Sequence, residues 1–365
     1  QAGDAGGRKK MQGALIVAQV AVSVMLLVGA GLLLASFYRL QRVETGYRSD
    51  GVLSAQIYGN FSRYPNITAQ RKLYLPVLER LQAVPGVSAA AITNAVPLGG
   101  AVPGTTRFEI EGRVVDDPER RPTTDVRVAS PQYFATIGIP VMSGRVFNDL
   151  DTEESMRVVV INKAMTKHWD GADPIGSHVR PVGPPNAPPS PWFTVVGVVG
   201  DVKQFGLTQD TVAQLYLPLS QTPGGIAGQI VVRTTGDPAA FGNLLRSTVH
   251  AVDPNQPVEN VQTLEDLRSE ALAAPRLTAT LLGVFAALAL LVTLAGIGGV
   301  IATSVQQRTK EFGLRMALGA RRDSVLIMVV RQGLTLVLIG LAIGVVGALA
   351  AGRVLSSYLY QTAPR

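Results

Sequence analysis

Cysteine is absent from the chain, and histidine occurs only three times in 365 residues. The absence of cysteine excludes disulfide bonds and thiolate chemistry, although it leaves the redox compartment open. The three histidines, His168, His178 and His250, have no neighbouring ligand residues at the spacing of a metal site. We therefore expect no metal site, and a surface or structural role for each histidine.

Sequence motifs for nucleotide binding and for hydrolysis are also missing. No GxxxxGK[ST] segment occurs, so the chain has no Walker-type ATP site and any ATP must be bound by a partner. No GxSxG turn is present, and the adjacent carboxylates Asp116-Asp117 and Glu153-Glu154 are typical of solvated turns. We identify no catalytic residue and no cofactor-binding residue, and we expect a protein that is not an enzyme.

Charged residues make up only 16% of the chain, and they are unevenly placed. The net charge is +7, yet residues 39–276 contain 22 Lys and Arg against 23 Asp and Glu. The positive excess therefore belongs to the flanking segments, whereas a nucleic-acid-binding protein carries it on its folded domain. We expect no nucleic-acid partner.

The flanking segments contain long apolar stretches, and the mean hydropathy of the whole chain is +0.25. Residues 13–38 and 277–305 have no charged side chain, and residues 325–352 have only Arg331. Each is longer than the roughly 20 residues that a helix needs to cross a bilayer, and Arg331 is near enough to one end to reach the interface. Three transmembrane helices in contact with the lipid bilayer are therefore predicted. A cleavable signal peptide is the alternative for the first, but its apolar run exceeds a typical signal core.

Three spans place residues 1–12 and the loop 306–324 on one side of the membrane, and residues 39–276 and 353–365 on the other. Counts of positive residues near the spans are nearly equal on the two sides, so they do not decide the orientation. The loop has five positive residues among its 19, and this density favours the cytoplasm. Residues 39–276 are then an extracytoplasmic domain.

Within the third apolar stretch, Gly340 and Gly344 form a GxxxG step. Glycine at this spacing lets two helix backbones approach closely in lipid. We therefore predict that these two residues pack against another helix.

The domain between the first two spans begins and ends with the same order of elements. In residues 51–98, the strand VLSAQI, a helix at 68–81 and the strand VSAAAIT follow one another. In residues 228–274, the strand GQIVVRTT is followed by a helix that begins at Pro238 after the N-cap Asp237, and by the strand PVENVQTL. A further helix, from Thr263 to Ala274, leads into the second span. The two β-α-β units indicate one split subdomain.

Residues 99–227, inserted between these units, contain short β-like runs. The candidate strands are RFEIEG, DVRVAS, RVVVIN, WFTVVGVVGDV and AQLYLPL, and AMTKHW is a candidate short helix. The proline-rich segment 181–191 is predicted to be a mobile loop, because proline lacks the amide donor of a regular ladder. The fold class is therefore an α+β membrane protein, with a split β-α-β subdomain that carries a mostly β insertion.

The loop between the second and third spans, QQRTKEFGLRMALGARRDS, has the pattern of a short amphipathic helix. Leu314, Ala317 and Leu318 share one side of it, and Glu311 and Arg315 form an i,i+4 pair in the favourable order. Gly319 is a candidate C-cap. Two interpretations remain open: a helix that lies on anionic lipid, and a coupling helix that docks into a cytoplasmic ATPase.

The segment RTKEFGLRMALGA at 308–320 resembles the signature loop of the MacB/FtsX-like ABC permeases. The first span and its continuation, AQVAVSVMLLVGAGLLLASFYRLQRVETGY, resemble the first membrane helix of that family. The segments SPQYFATIGIPVMSGRVF, DPIGSHV and VVGVVGDVKQFGL are similar to its MacB-like periplasmic core domain. The resemblance is strongest to the second half of the duplicated, acidobacterial-type permeases, so a duplicated native protein with eight helices is an open possibility.

This resemblance implies a permease subunit of an ABC-type exporter in the bacterial inner membrane. It would transmit ATP hydrolysis by a separate cytoplasmic ABC ATPase to a periplasmic domain with porter-like (51–98 and 228–274) and sabre-like (99–227) parts. The residues that would contact the ATPase are Arg308, Glu311, Phe312, Gly313, Arg315, Ala317, Leu318, Gly319 and Ala320. A relay that regulates an extracytoplasmic cell-wall hydrolase, as FtsX-like proteins do, is the alternative, and the transported substrate is left open.

Further partners implied by the resemblance are a second permease half or copy, a periplasmic adaptor and an outer-membrane channel. The family has four membrane helices in each unit, whereas three are predicted here. We therefore expect the native protein to continue into a fourth span.

Overall fold

The computed structural model describes residues 2–57, 62–100, 104–113, 115, 117–183, 189–222, 228–307, 309, 314, 317 and 322–360. The chain divides into two compact units. One comprises Gln1–Arg42 with Leu272–Arg365, and the other comprises Val43–Ala271. The described part of the first unit is helical, whereas the second contains both strands and helices.

The described residues form six α-helices and eleven β-strands. The helices are α1 (Ala2–Gln41), α2 (Ile67–Gln82), α3 (Tyr133–Ile137), α4 (Gly242–His250), α5 (Leu264–Gln307) and α6 (Arg322–Tyr360). The strands are β1 (Val52–Ile57), β2 (Val87–Thr93), β3 (Thr105–Ile110), β4 (Thr123–Ala129), β5 (Val141–Gly144), β6 (Val158–Asn162), β7 (His178–Pro181), β8 (Phe193–Val199), β9 (Gln214–Pro218), β10 (Gly228–Thr234) and β11 (Val258–Thr263).

Three of the helices are long and apolar enough to cross a membrane. The apolar stretches are Met11–Gln41 in α1, Leu264–Thr303 in α5 and Gly333–Ala351 in α6. Large apolar side chains remain exposed along all three, as an environment of lipid or of other helices requires. They coincide with the three spans predicted from the sequence.

In the second unit, four antiparallel strands form a sheet in the order β11-β1-β10-β2. Because β10 lies between β1 and β2, the two β-α-β units interleave, as in a split β-α-β arrangement. Alternate side chains of β1, Leu53, Ala55 and Ile57, are buried in one cluster with residues of α2 and α4. The N-cap Asn66 fixes the start of α2, since its Oδ1 accepts a hydrogen bond from the Ala69 amide at 2.9 Å.

The inserted strands close into a ring. Neighbouring strands follow the order β4-β3-β7-β8-β6-β9, and β9 pairs with β4 to complete the ring. Such closure removes the exposed edges that an open sheet would present. The interior holds fully buried side chains, among them Phe108, Ile161, Phe193 and Leu215. The expected mostly β insertion is thus a small six-stranded barrel.

The barrel joins the four-stranded sheet through β2 and β4, where Thr93 is opposite Ala129. The Thr93 hydroxyl reinforces this junction by donating to the Val128 carbonyl at 2.9 Å. A second cluster of buried side chains covers the other face of the sheet and includes Tyr133 and Phe134 of α3, Tyr216 of β9 and Leu264 of α5.

Local differences from the sequence prediction have physical causes. AMTKHW, the candidate short helix, is part of the 3₁₀ helix Lys163–Trp169. Pro181, predicted to begin a loop, is the last residue of β7, a position where its missing amide donor is tolerated. The predicted loop residues 184–188 lie outside the described residues. The domain boundaries proposed above stay predictions.

Candidate functional site in the apolar helices

Two glycines of α6 lie directly against α1. A Cβ atom built on Gly340 would lie 2.7 Å from the Cβ of Val20 and 2.9 Å from the carbonyl oxygen of Val17. One built on Gly344 would lie 2.8 Å from the carbonyl oxygen of Ala21 and 2.8 Å from the Cβ of Val24. These separations are shorter than an ordinary van der Waals contact, so only glycine fits at this distance between the helices.

The face of α1 that meets these glycines is buried, although most of the helix is exposed. Ile16, Val20 and Ala21 have at most 5% of their surface exposed. Val20 and Ala21 recur with Val17 and Val24 at the helical spacing i, i+3, i+4 and i+7, so these four residues form a single stripe against the glycines. Gly347 continues the contact one turn further along α6, where an added Cβ would meet the flexible end of Met25.

A polar contact joins α1 to the apolar part of α5. The hydroxyls of Ser23 and Thr293 are 2.7 Å apart, and the Ser23 hydroxyl also donates to the carbonyl of Ala289 at 3.1 Å. Both side chains are almost fully buried. Such hydrogen bonds contribute about 0.6 kcal/mol each on average between membrane helices. A Cβ on Gly296 would lie 2.9 Å from Oε1 of Gln19, so α5 also approaches α1 closely there.

The α1 helix therefore contacts both of the other apolar helices, through different stripes. Its valines meet the glycines of α6, and its Ser23 meets α5. A direct contact between α5 and α6 is made near Gly333, where an added Cβ would be 3.6 Å from Cδ1 of Ile301. The three helices thus form one packed group, in which a shift of one helix changes its contacts with the others.

The segment between α5 and α6 was predicted to contact an ATPase. Of its candidate residues, Arg308, Glu311, Phe312, Gly313, Arg315, Leu318, Gly319 and Ala320 lie outside the described residues. Ala317 is described and is helical and exposed, as is Leu314, whose exposed fraction is 67%. Exposure of these two apolar side chains leaves them available to a lipid surface or to a protein partner.

The α5 helix begins inside the core of the second unit. Thr263 and Asp266 cap it reciprocally: Asp266 Oδ2 accepts hydrogen bonds from the amide of Thr263 at 3.0 Å and from its hydroxyl at 2.7 Å. The hydroxyl oxygen of Thr263 accepts in turn from the Asp266 amide at 3.0 Å. Leu264 and Leu267 are buried in the core cluster of the sheet. The first turn of this helix is therefore fixed to the folded domain.

The three histidines occupy separate positions. His168 meets Phe108 edge to face at 5.3 Å, His178 Nδ1 lies 2.7 Å from Oε2 of Glu111, and His250 ends α4. Within the described part of the chain, no three His, Asp or Glu side chains come together as metal ligands.

Two family models match the chain. The model of the MacB-like periplasmic core domain matches residues 13–252, and that of the FtsX-like permease C-terminal region matches residues 283–364. The second match includes the whole segment between α5 and α6, and the first includes most of α1, the strands β1, β2 and β10 of the sheet, and the barrel.

Relatives with a curated description are ABC transporter proteins. The chain is 26% identical over 223 residues to the uncharacterized ABC transporter permease YknZ of Bacillus subtilis, covering 58% of this chain and 53% of YknZ. It is 29% identical over 234 residues to the macrolide export ATP-binding/permease protein MacB of Aggregatibacter actinomycetemcomitans, covering 60% and 33%. It is 28% identical over 230 residues to the pyoverdine export ATP-binding/permease protein PvdT of Pseudomonas putida, covering 60% and 34%. The chain thus spans between a third and about half of these relatives.

Solved structures resemble the chain more distantly. The periplasmic region of MacB from Actinobacillus actinomycetemcomitans matches at 14% identity with a TM-score of 0.42, over 64% of this chain and 97% of that one. The extracellular domain of YknZ matches at 17% identity with a TM-score of 0.35, over 57% and 100%.

Proposed function

Because the chain belongs to the MacB/FtsX-like family of ABC permeases, we propose that it is the permease subunit of an export machine that works by mechanotransmission. In this proposal a separate cytoplasmic ABC ATPase binds and hydrolyses ATP. The apolar helices then pass the resulting movement to the extracytoplasmic domain. This chain supplies no chemistry of its own.

The observation that carries the proposal is the course of α5. Its first turn is capped by Asp266 and buried through Leu264 in the core of the folded domain. The same helix continues to Gln307, at the beginning of the segment predicted to contact the ATPase. The helix is continuous over these 44 residues, Pro275 included, and in this proposal it carries movement from one end toward the other.

The packed group of helices supports the same proposal. Through Gly340 and Gly344, α6 packs closely against the backbone of α1, so the two helices share one contact surface. An ATPase that pushes on the segment between α5 and α6 would therefore displace all three helices. We place the chain in the inner membrane of a bacterium, with a second permease copy or half as a further proposed partner there. A periplasmic adaptor and an outer-membrane channel are proposed partners outside that membrane.

The interface with the ATPase is tested by replacing Glu311 and Arg315 together with alanine. The expected result is that binding of the copurifying ATP-binding subunit weakens about tenfold or more, since truncating a central interface residue typically costs about 2 kcal/mol. The matched control is the double replacement of Glu79 and Arg80 with alanine, which makes the same chemical change on exposed positions of α2. Unchanged ATPase binding in the Glu311 and Arg315 variant would refute the coupling assignment.

The FtsX-like relay, which would regulate a cell-wall hydrolase, predicts the same ATPase interface. The match to the FtsX-like C-terminal region is compatible with either function. The export function is favoured because MacB and PvdT are described as export proteins. Deleting the gene and measuring both drug or siderophore tolerance and cell-wall hydrolysis distinguishes the two, because the relay affects only hydrolysis.

A further inference from the structure

A cleft of about 650 Å³ lies on the wall of the barrel. Its described lining has five positively charged side chains and only two carboxylates, Glu109 and Asp170. The positively charged residues are Arg113, Arg120, Arg121, Lys167 and Arg180. This excess is local, because the domain as a whole is almost neutral.

The two carboxylates do not neutralise the cleft. Glu109 is shared, since Arg121 Nη2 lies 3.0 Å from its Oε1 and Arg180 Nε lies 2.6 Å from its Oε2. Arg113 pairs with Asp170 at 3.0 Å. One carboxylate between two guanidinium groups leaves a full positive charge with hydrogen-bond donors to spare.

These groups are held in place and partly shielded from water. The side chains of Glu109, Arg121 and Arg180 have exposed fractions of 19%, 25% and 30%. The guanidinium of Arg180 lies over the ring of Trp192, 4.5 Å from its centroid. Partial burial reduces screening by solvent, so an anion bound here would interact more strongly than at an exposed arginine.

Aromatic and apolar side chains form the rest of the lining. Trp192 lies on one side, and the ring of His168 packs edge to face against Phe108. Burial lowers the pKa of His168, and the positive charges of Lys167 and Arg113 lower it further. A neutral imidazole adds aromatic rather than charged surface to the lining, which suits contact with a ring.

We propose that this cleft binds a small organic anion in which a phosphate, sulfonate or carboxylate group is attached to a flat apolar ring. The anionic group contacts the guanidinium donors of Arg121 and Arg180 that Glu109 leaves free, and the ring contacts Trp192 and the His168 side of the cleft. The volume is within the range of sites that hold small organic molecules. The proposal concerns the barrel alone and does not depend on the export function.

Three probes distinguish the contact made by the anionic group from the contact made by the ring. The full chain in phosphatidylcholine nanodiscs is titrated calorimetrically with 1-naphthyl phosphate, with inorganic phosphate, and with 1-naphthol, each corrected with empty nanodiscs. Saturable binding of naphthyl phosphate that is about tenfold tighter than that of either other probe is expected, because only this probe makes both kinds of contact. Equal affinity for 1-naphthol would overturn the proposal, as would the absence of saturable binding.

Two variants with opposite expected effects on the affinity for naphthyl phosphate distinguish a change in the site from a loss of folding. Arg180→Gln is expected to weaken naphthyl phosphate binding about tenfold, whereas Arg246→Gln, the same change on an exposed position of α4, leaves it unchanged. Glu109→Gln removes the competing carboxylate and is expected to tighten binding about threefold or more. A misfolded barrel cannot give tighter binding, so tighter binding by Glu109→Gln supports the assignment. Failure of a Glu109→Gln variant with an unchanged circular dichroism spectrum to strengthen binding, or an equal loss in Arg246→Gln, would overturn it.

Discussion

Replacing Gly340 by alanine is expected to force α1 and α6 apart. The new methyl group would lie 2.7 Å from the Cβ of Val20 and 2.9 Å from the backbone oxygen of Val17. Carbon atoms pack best at about 3.5–4.0 Å, so the helices must separate by about 0.8 Å or more. Because Val17 contributes backbone rather than a flexible side chain, no rotamer change removes the overlap. Overpacking of this kind costs about 1–3 kcal/mol.

Gly298→Ala is the matched control, because nothing lies within 4 Å of a Cβ atom at that position in α5. Both variants replace glycine by alanine inside an apolar helix, so the gain in helix propensity, about 1 kcal/mol in water, cancels in the comparison. The difference between the two variants is therefore the packing cost, about 1–3 kcal/mol.

The assay is unfolding by increasing the fraction of sodium dodecyl sulfate in mixed micelles, followed by far-ultraviolet circular dichroism. We expect Gly340→Ala and Gly344→Ala to unfold at lower detergent fractions than Gly298→Ala. The detergent fraction at which Gly347→Ala unfolds should lie between that of these two variants and that of Gly298→Ala, because the end of Met25 can move away from the added methyl group. Equal stability of Gly340→Ala, Gly344→Ala and Gly298→Ala would refute the close contact.

Two further variants test single interactions. Ser23→Ala removes the two hydrogen bonds of Ser23, to Thr293 and to Ala289, and at about 0.6 kcal/mol each it is expected to lower stability in the same detergent assay by about 1.2 kcal/mol. Thr303→Ala, whose hydroxyl bonds only within its own helix, should change it less, and an equal loss in both would contradict the contact. The Asp151 carboxylate accepts two hydrogen bonds of 2.8 Å from Arg145. Burial raises the pKa of Asp151, but the hydrogen bonds from Arg145 and from the Asn148 amide outweigh the effect of burial and hold the pKa below its ordinary value. A lowered pKa stabilises the folded state above the unfolded pKa of about 3.9, and this stability is lost as the pH falls through the folded pKa. The thermal unfolding temperature between pH 5 and 3 should therefore depend less on pH in Asp151→Asn than in the exposed control Asp149→Asn. Identical pH profiles of the two variants would show that the Asp151–Arg145 pair does not contribute.

The periodicity of apolar residues predicted those strands and helices whose side chains pack into a hydrophobic core. The helix at 67–82 was predicted because its buried residues recur at helical spacing, and the strand at 52–57 because Leu53, Ala55 and Ile57 alternate toward one core. The three apolar helices were evident for a different reason, since lipid requires a long run without charge. In these cases the signal is contained in the segment itself.

Other features depend on distant partners and left no local signal. β5 and β7 are four residues long and were not predicted, because a strand of that length is defined by its neighbours. Closure of the barrel requires the parallel pairing of β4 with β9, which are far apart in sequence. The charged cleft was also missed, because Glu109, Arg121 and Arg180 come from three separate segments. The GxxxG step of Gly340 and Gly344 could be recognised in the sequence because both glycines lie in one helix.

The two ends of the barrel insertion meet at neighbouring points of the four-stranded sheet. The chain leaves the sheet after Thr93 of β2 and returns at Gly228 of β10, and Thr93 is paired with Gln229. Entry and exit are therefore one strand spacing apart, about 5 Å. A barrel of another size, or a short linker, can occupy this place without changing the order of the sheet. Relatives can thus acquire a different outer module while the sheet and the start of α5 stay the same.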